Sequence, residues 1–187
     1  LTLYTMKIIT QIKEARNLLK KGKLLAYPTE AIYGLGCDPF NQQAVEKLLA
    51  LKKRSIAKGF IILIADWPQL VPLIGPVPDE VLEQVRRTWP GPVTWVFPKA
   101  STIPDWLSGE HPSIAIRMTS HSIAKELCID GPLISTSANV SGLVPAMDIA
   151  SVREQFPAGV DGLVSGPLGG LSQPSAIFDA LSGNRIR

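Results

Sequence analysis

The sequence contains few of the residues from which metal sites and covalent nucleophiles are usually built. It has two cysteines, Cys37 and Cys128, and two histidines, His111 and His121, among 187 residues. The cysteines form no CxxC pair and the histidines lack metal-ligand spacing, although His121 fits the start of a helix. We therefore predict no disulfide framework and no metal-binding cluster of side chains, and a reducing cytoplasm is the expected environment.

Several common enzyme motifs are also missing. The chain has neither a GxxxxGK[ST] phosphate loop nor a GxGxxG dinucleotide fingerprint. It lacks the GxSxG elbow of serine hydrolases, and no pair of carboxylates is placed clearly for general acid–base catalysis. If the protein is an enzyme, we expect it to act by positioning substrates and stabilising charge.

Long apolar runs are absent as well. The run at residues 60–65 is far too short to cross a bilayer, so no membrane partner is expected. The overall composition, 45% hydrophobic and 19% charged, is typical of a globular protein. The net charge of +3 is too small to indicate nucleic-acid binding by itself. Basic residues nevertheless cluster between Lys47 and Lys58, where no acidic residue occurs.

Helical and extended patterns alternate along the chain, which predicts an α/β fold around a twisted open sheet. Two helices are predicted to begin after Thr10 and after Asn41, which would be their N-caps. Further helices are predicted at residues 79–87, 122–128 and 149–156, with a short helical turn around Gln69 and Leu70. Strands are predicted at residues 24–27, 60–64, 93–97, 113–118, 132–135, 160–164 and 175–179. Hairpin-like spacing over residues 93–117 indicates a mixed sheet. No stretch resembles a linker, so residues 1–187 are predicted to form a single domain.

Residues 23–58 combine two features typical of an anion site. A buried strand closed by Pro28 is followed by a polar, glycine-containing loop at residues 29–36, which allows the backbone to approach a ligand closely. The next helix ends in Lys52-Lys53-Arg54. An Arg fork and a Lys charge suit phosphate binding, but basic residues at a solvated helix end also complement the helix dipole. For this cluster alone, the solvated helix end is the commoner explanation.

Two further polar sites follow predicted strands. Ser135, Ser137 and Asn139 lie in the segment STSAN, whose hydroxyls and amide suit ribose, phosphate or metal-bound water. The same residues could instead form a turn that bonds its own backbone. Arg117 lies in an apolar setting and requires an anion, either a structural carboxylate or a ligand. Because such loops converge at one edge of a sheet, the pattern indicates a pocket for a phosphorylated, partly anionic small molecule.

The order of six segments resembles one known family. The segments are residues 27–36 (YPTEAIYGLG), Lys52-x-Arg54, residues 89–94 (WPGPVT), Ile116-Arg117, residues 135–139 (STSAN) and residues 174–179 (PSAIFD). Together they are similar to the YrdC-like threonylcarbamoyl-AMP synthases, in particular the short bacterial TsaC type. The resemblance covers nearly the whole chain and implies a single-domain, twisted, open mixed sheet, flanked by helices around a positively charged concave cavity.

The resemblance also implies a function. It is a nucleotidyltransferase reaction that joins L-threonine, bicarbonate or CO2 and ATP into threonylcarbamoyl-adenylate, with release of pyrophosphate, and Mg²⁺ is the expected cofactor. The product would supply a tRNA threonylcarbamoyl-transferase complex acting on tRNAs that read ANN codons. The implied catalytic residues are Lys52 and Arg54. The implied ATP-binding residues are Lys52, Arg54, Ser135, Ser137 and Asn139, and the implied threonine-binding residues are Thr29, Arg117 and Ser175.

The chain departs from the family pattern at several positions. Ser55 stands where many members have proline, no histidine lies near residues 60–64, and Ala176 and Phe178 replace a threonine and a valine. An alternative function is a non-catalytic module that binds tRNA or double-stranded RNA on a basic concave surface. Weak RNA binding could also accompany the enzyme activity. The modest net charge and the lack of a base-stacking aromatic set argue against sequence-specific RNA recognition.

Overall fold

A computed structural model describes residues 6–187, so the first five residues of the predicted domain lie outside the described residues. The strands are β1 Lys7–Ile9, β2 Leu25–Pro28, β3 Tyr33–Gly36, β4 Ile61–Ile64, β5 Val93–Pro98, β6 Ser113–Met118, β7 Leu133–Ser137, β8 Gly162–Val164 and β9 Ala176–Asp179. The helices are α1 Ile12–Lys20, α2 Gln42–Lys52, α3 Asp79–Arg86, α4 Asp105–Ser108, α5 Ser122–Leu127 and α6 Ile149–Gln155.

The strands form one nine-stranded sheet in the order β1-β8-β2-β3-β7-β4-β6-β5-β9. The pairs β1/β8, β2/β8, β4/β6 and β5/β9 are parallel, and the other four pairs are antiparallel. The predicted mixed α/β sheet is therefore confirmed, including the antiparallel pairing of β5 with β6.

The segment predicted as a loop at residues 29–36 is a tight β-hairpin, and its second strand β3 was missed. Leu25 pairs with Gly36 and Tyr27 with Gly34. The turn is closed at Thr29, whose backbone N–H and hydroxyl both donate to the carbonyl of Ile32, at 3.1 and 2.7 Å. The two glycines that suggested a loop lie instead inside the sheet, and close packing requires glycine at position 36.

Gly36 shows why that packing excludes a side chain. A Cβ at this position would lie 1.9 Å from the carbonyl oxygen of Ile134 and 2.9 Å from the hydroxyl of Tyr27. These two groups are bonded to each other, because the Tyr27 hydroxyl donates to the Ile134 carbonyl at 2.9 Å. Glycine therefore lets β3 lie beside β7 without displacing a buried hydrogen bond.

Side chains of the central strands alternate between two apolar clusters, one on each face of the sheet. On β4, Ile62 and Ile64 belong to the larger cluster and Leu63 to the smaller one. The smaller cluster also contains Leu19 of α1 and Leu127 of α5, so these two helices cover part of one face. The prediction that this strand is covered on both faces is correct.

The helix ends test the predicted caps. Asn41 caps α2 as predicted, since its side-chain oxygen accepts from Ala44 N at 3.0 Å. His121 caps α5 through its ring nitrogen, again as predicted. Thr10 is not a cap, because α1 begins after Gln11, whose side chain makes no capping bond. The short elements β1 and α4 were missed, since three or four residues carry too little periodicity to be recognised.

The predicted turn around Gln69 and Leu70 consists of two short 3₁₀ helices, Trp67–Gln69 and Val71–Leu73. Within residues 6–187, no helix combines the length and apolarity needed to cross a membrane. Both cysteines are buried as free thiols. Burial raises the pKa of Cys37 to about 12, so this thiol stays protonated and is a poor nucleophile.

Candidate functional site

A cavity of about 250 Å³ brings together most of the residues selected from the sequence. Its lining includes Thr29, Arg54, Arg117, Ser135, Ser137 and Ser175. These six residues come from five separate stretches of the chain, so only the fold makes them neighbours. Lys52 and Asn139 are not part of this lining, but both are bonded to Ser137, which is.

The cavity lies over one face of the sheet rather than at the edge where strand ends were expected to meet. Ser135 is in the middle of β7 and faces Ile61 of β4, and Arg117 of β6 faces Leu63. Paired residues point to the same side, so Arg117 shares the face of the smaller apolar cluster. The expectation of a strand-edge site is wrong because antiparallel neighbours in a mixed sheet send their carboxyl ends to opposite edges.

Arg117 is paired with a carboxylate inside the cavity wall. Its Nη1 lies 3.1 Å from Oε2 of Glu30, and both side chains are buried. The hydroxyl of Thr119 donates to the other Glu30 oxygen at 2.8 Å. The sequence left open whether Arg117 pairs with a structural carboxylate or with a ligand, and Glu30 is such a structural carboxylate. This pair uses one side of the guanidinium, and Arg117 Nε is buried without a hydrogen-bond partner among the described residues.

Arg54 also lines the cavity and carries no ion pair with any carboxylate in residues 6–187. Its Nη2 donates to the carbonyl of Gly59 at 2.8 Å, and its guanidinium lies 5.7 Å from the ring centre of Phe60. Its Nε is buried without a hydrogen-bond partner within the same range. Burial lowers the pKa of Arg54. A partly buried, uncompensated guanidinium of this kind is suited to binding an anion.

Lys52 is buried, with 2% of its surface exposed, so the explanation by a solvated helix end does not apply to this residue. Its ammonium donates to the carbonyls of Ser137 and Asn139, the latter at 2.9 Å. It thereby joins the end of α2 to the loop that follows β7. Burial, and next the positive charge of Arg54, lower the pKa of Lys52 to about 7.

Side chains of the loop after β7 form hydrogen bonds within the loop, as expected if the STSAN residues form a turn that bonds its own backbone. The Ser137 hydroxyl donates to the side-chain oxygen of Asn139. The Asn139 amide nitrogen donates to the carbonyls of Val140 and Leu143, at 3.1 and 3.0 Å. The two interpretations are not exclusive, because Ser135 and Ser137 also line the cavity.

The other two hydroxyl residues selected from the sequence, Thr29 and Ser175, also line the cavity. The Thr29 hydroxyl closes the β2–β3 turn described above. The Ser175 hydroxyl is 3.1 Å from the hydroxyl of Thr94, which is buried on β5. Thr94 was not selected as a site residue, although it ends the WPGPVT segment at residues 89–94 that contributes to the family resemblance.

A glycine-rich segment, residues 166–173, covers one side of the cavity. Gly169 N donates to the Thr29 carbonyl and Leu171 N to the Glu30 carbonyl, both at 3.0 Å. The ring of His121 contacts the Pro167 carbonyl at 2.9 Å. These bonds tie the segment to the same turn that carries Thr29 and Glu30, and Leu171 lines the cavity.

A second cavity, of about 370 Å³, adjoins the first. The two share Arg54, Phe60, Ile61 and Arg187 in their linings. Arg187 was missed by the sequence analysis, and its Nη2 donates to the carbonyl of Ser175 at 3.0 Å. The exposed His111 contributes to the second cavity only.

Within residues 6–187, no group of three or more His, Cys, Asp or Glu residues could hold a metal ion. Glu30 is the single carboxylate that lines the first cavity, and it is already paired with Arg117. Arginines, hydroxyls and backbone groups dominate the remaining polar lining. The arrangement is therefore equipped to bind and orient anionic molecules rather than to supply a covalent nucleophile.

Comparison with known proteins gives a consistent result. The Sua5/YciO/YrdC family model, described as telomere recombination, matches residues 17–187. A threonylcarbamoyl-AMP synthase of Methylococcus capsulatus is 49% identical over 179 residues, covering 95% of this chain and 96% of that protein. A threonylcarbamoyl-AMP synthase of Coxiella burnetii is 48% identical over 178 residues, covering 94% and 96% respectively.

Among solved structures, P. abyssi Sua5 complexed with L-threonine superimposes with a TM-score of 0.87 at 30% identity. The match covers 94% of this chain but 54% of that one, so the present chain spans about half the length of that Sua5 protein.

Proposed function

This chain belongs to the Sua5/YciO/YrdC family, and we propose that it is a threonylcarbamoyl-AMP synthase that forms threonylcarbamoyl-adenylate from L-threonine, bicarbonate or CO2, and ATP. The reaction class is nucleotidyl transfer, with pyrophosphate as the second product. The main support for the proposal is that one cavity brings together four hydroxyl residues and two arginines. Arg54 has no ion-pair partner within residues 6–187, and Arg117 is paired with Glu30 through Nη1 only.

ATP is assigned to the side of the cavity next to α2. Arg54 supplies a guanidinium for phosphate oxygens, and the hydroxyl of Ser135 supplies a neutral donor. The hydroxyl of Ser137 would have to leave Asn139 in order to donate to a phosphate. Lys52 and Asn139 hold the loop that carries Ser137, and the charge of Lys52 adds to the attraction for phosphate. A triphosphate would thus replace solvent around a site that already lacks a counter-ion.

L-Threonine is assigned to the opposite side. Arg117 retains unused N–H donors that suit a carboxylate, because Glu30 occupies only its Nη1 side. Thr29 and Ser175 offer hydroxyls beside it. The L-threonine named in the Sua5 complex supports this assignment by family, since that protein has the same fold.

The chemistry requires positioning more than acid–base catalysis. The amine of threonine adds through its lone pair to the carbon of CO2 and releases a proton, which gives a carbamate. A carbamate oxygen then attacks the α-phosphorus of ATP while the bond to the β-phosphate oxygen breaks, and pyrophosphate leaves with the electron pair. Cations around the phosphates stabilise the charge that develops on the leaving group.

Mg²⁺ fits this account as an ion that would bind together with ATP rather than at a permanent site of the protein. It is commonly bound through one or two carboxylates together with substrate phosphates and water. Glu30 is the one carboxylate in the cavity lining and is held by Arg117. The ion would therefore be held mainly by phosphate oxygens, where it supplies additional positive charge. The product would pass to a tRNA threonylcarbamoyl-transferase complex.

Calorimetry with ATP and L-threonine, combined with an assay of pyrophosphate release, tests the proposal. We expect both ligands to bind, and pyrophosphate release to require L-threonine and bicarbonate together. Arg54→Ala should abolish release, whereas Arg153→Ala, an exposed change on α6, should leave it intact. Failure of both ligands to bind, with salt-sensitive tRNA binding instead, would favour the RNA-binding alternative.

A further inference from the structure

His121 is a buried residue to which the function proposed above gives no task. Its ring lies at the start of α5, and both ring nitrogens are engaged. Nδ1 accepts from Ala124 N at 3.4 Å, and Nε2 lies 2.9 Å from the Pro167 carbonyl. Because a carbonyl oxygen only accepts hydrogen bonds, Nε2 must carry the proton. The ring therefore donates to the glycine-rich segment, residues 166–173, while it caps its own helix.

The glycine-rich segment depends on bonds of this kind for its position. Residues 166–173 belong to no helix or strand, and most of them are exposed. Besides two backbone bonds to the turn that follows β2, the Tyr33 hydroxyl donates to the Gly166 carbonyl at 3.2 Å. Leu171 lines the first cavity, and the chain then continues to Ser175, which lines it as well. A segment with so little packing opens easily, so the loss of one bond should displace it.

The backbone of His121 is connected to the ion pair of the cavity. Its N–H donates to the Thr119 hydroxyl at 3.1 Å, and that hydroxyl donates to Glu30 at 2.8 Å. Glu30 is in turn paired with Arg117, the arginine assigned above to the carboxylate of L-threonine. His121 thus fixes the glycine-rich segment relative to Arg117.

We propose that His121 is a positioning residue for L-threonine, whose Nε2–H holds the glycine-rich segment so that Leu171 and Ser175 stay in place beside the amino acid. This inference rests on the proposed synthase function. His121 is not part of the cavity lining, so it acts through the segment rather than by touching substrate. The residues assigned to ATP lie outside this set of bonds, so ATP binding should depend little on His121.

Two substitutions separate the two roles of the ring. In His121→Asn the side-chain oxygen can still accept from Ala124 N, since asparagine is a favoured N-cap, but the side chain is too short to reach Pro167. In His121→Gln an amide nitrogen takes roughly the place of Nε2, so the bond to Pro167 is restored and the cap is lost. Lys125→Gln, at an exposed position on the same helix, is the control.

Steady-state kinetics and hydrogen exchange give the two readouts. His121→Asn should raise the KM for L-threonine by roughly fivefold, the size expected from one lost hydrogen bond, with kcat and the KM for ATP changed by less than about twofold. His121→Gln should keep a KM for L-threonine near the wild-type value, although its urea midpoint should be lower. Amides in residues 166–173 should exchange roughly fivefold faster in His121→Asn than in the wild type or His121→Gln.

An unchanged KM for L-threonine and unchanged exchange in His121→Asn would overturn the inference. Equal effects of the two His121 substitutions would also overturn it, because disturbance of α5 rather than loss of the Pro167 bond would be the cause. A wild type that forms no adenylate would contradict the synthase function. The exchange comparison needs no turnover, so it would still decide whether His121 holds the segment.

Discussion

Arg117 Nη1 lies 3.1 Å from Glu30 Oε2 in the wall of the cavity, and the two side chains are only 8% and 7% exposed. Glu30 belongs to the turn after β2, whereas Arg117 is on β6, so the pair links distant parts of the sheet. It keeps a cation buried at the site without using all of its donors. The pair therefore has both a structural role and a role in recognising a ligand carboxylate.

Removing the Glu30 charge should be costly for folding. Glu30→Gln leaves the Arg117 guanidinium buried without a counter-ion, and we expect the free energy of unfolding to fall by about 3–5 kcal/mol. Urea denaturation measures the loss. Glu154→Gln, at an exposed position on α6, is the control and should change stability by less than about 0.5 kcal/mol.

The double variant Glu30→Gln/Arg117→Met distinguishes charge from packing. Because it removes both members of the pair, it should be more stable than Glu30→Gln alone, although it should lose L-threonine binding. Additive destabilisation by the two changes would contradict the buried ion pair as the source of the effect.

Lys52 should make stability depend on pH in a defined window. Its pKa falls from the ordinary value of 10.5 to about 7 in the folded protein, so between these values the unfolded chain binds more protons. Stability from this residue therefore increases as pH rises from about 7 towards 10.5, and is lost as pH falls through 7. Lys52→Met should remove this dependence.

The measurement is urea denaturation of the wild type and of Lys52→Met between pH 6 and pH 10. The difference in unfolding free energy, wild type minus variant, should increase with pH above about 7. A difference that decreases over this range would mean that the two carbonyl contacts of Lys52 outweigh its burial.

Gly36 should tolerate no side chain. Gly36→Ala places a Cβ 1.9 Å from the Ile134 carbonyl oxygen, inside the sheet between β3 and β7. Since backbone must move, we expect a loss of about 1–3 kcal/mol or more in unfolding free energy. Gly131→Ala is the matched control, because its Cβ meets no atom within 4 Å. Equal stability of the two variants would disprove the close approach.

Gly169 connects the glycine-rich segment to the cavity turn. In Gly169→Ala the new Cβ would lie 2.8 Å from Glu30 Cα, which should push residues 166–173 away from the site. We expect the KM for L-threonine to rise by roughly tenfold, equivalent to about 1.4 kcal/mol, with little loss of stability. An unchanged KM would show that this segment does not contribute to substrate binding.

The fold class and most long elements could be predicted because their periodicity is strong. The run at residues 60–64 indicated a strand buried on both faces, and β4 confirms this. The hairpin strand β3 could not be recognised, since its two glycines resemble a loop until the neighbouring strand is known. The need for glycine at position 36 arises from Ile134, which is distant in sequence.

The candidate site was predicted in its parts but not in its geometry. The Lys-x-Arg and STSAN segments identified Arg54, Ser135 and Ser137, which line one cavity. The burial of Lys52 and the partner of Arg117 depend on tertiary contacts that no local pattern encodes. The position over a sheet face followed from strand directions that the sequence did not specify.

The central claim is tested most directly by mass spectrometry of the reaction product. Wild-type protein is incubated with ATP, L-threonine and ¹³C-labelled bicarbonate, and each substrate is omitted in turn. The account predicts an adenylate containing threonine and one labelled carbon, formed only in the complete mixture and absent with Arg54→Ala. A folded wild type that binds ATP and L-threonine but forms no labelled adenylate would contradict it.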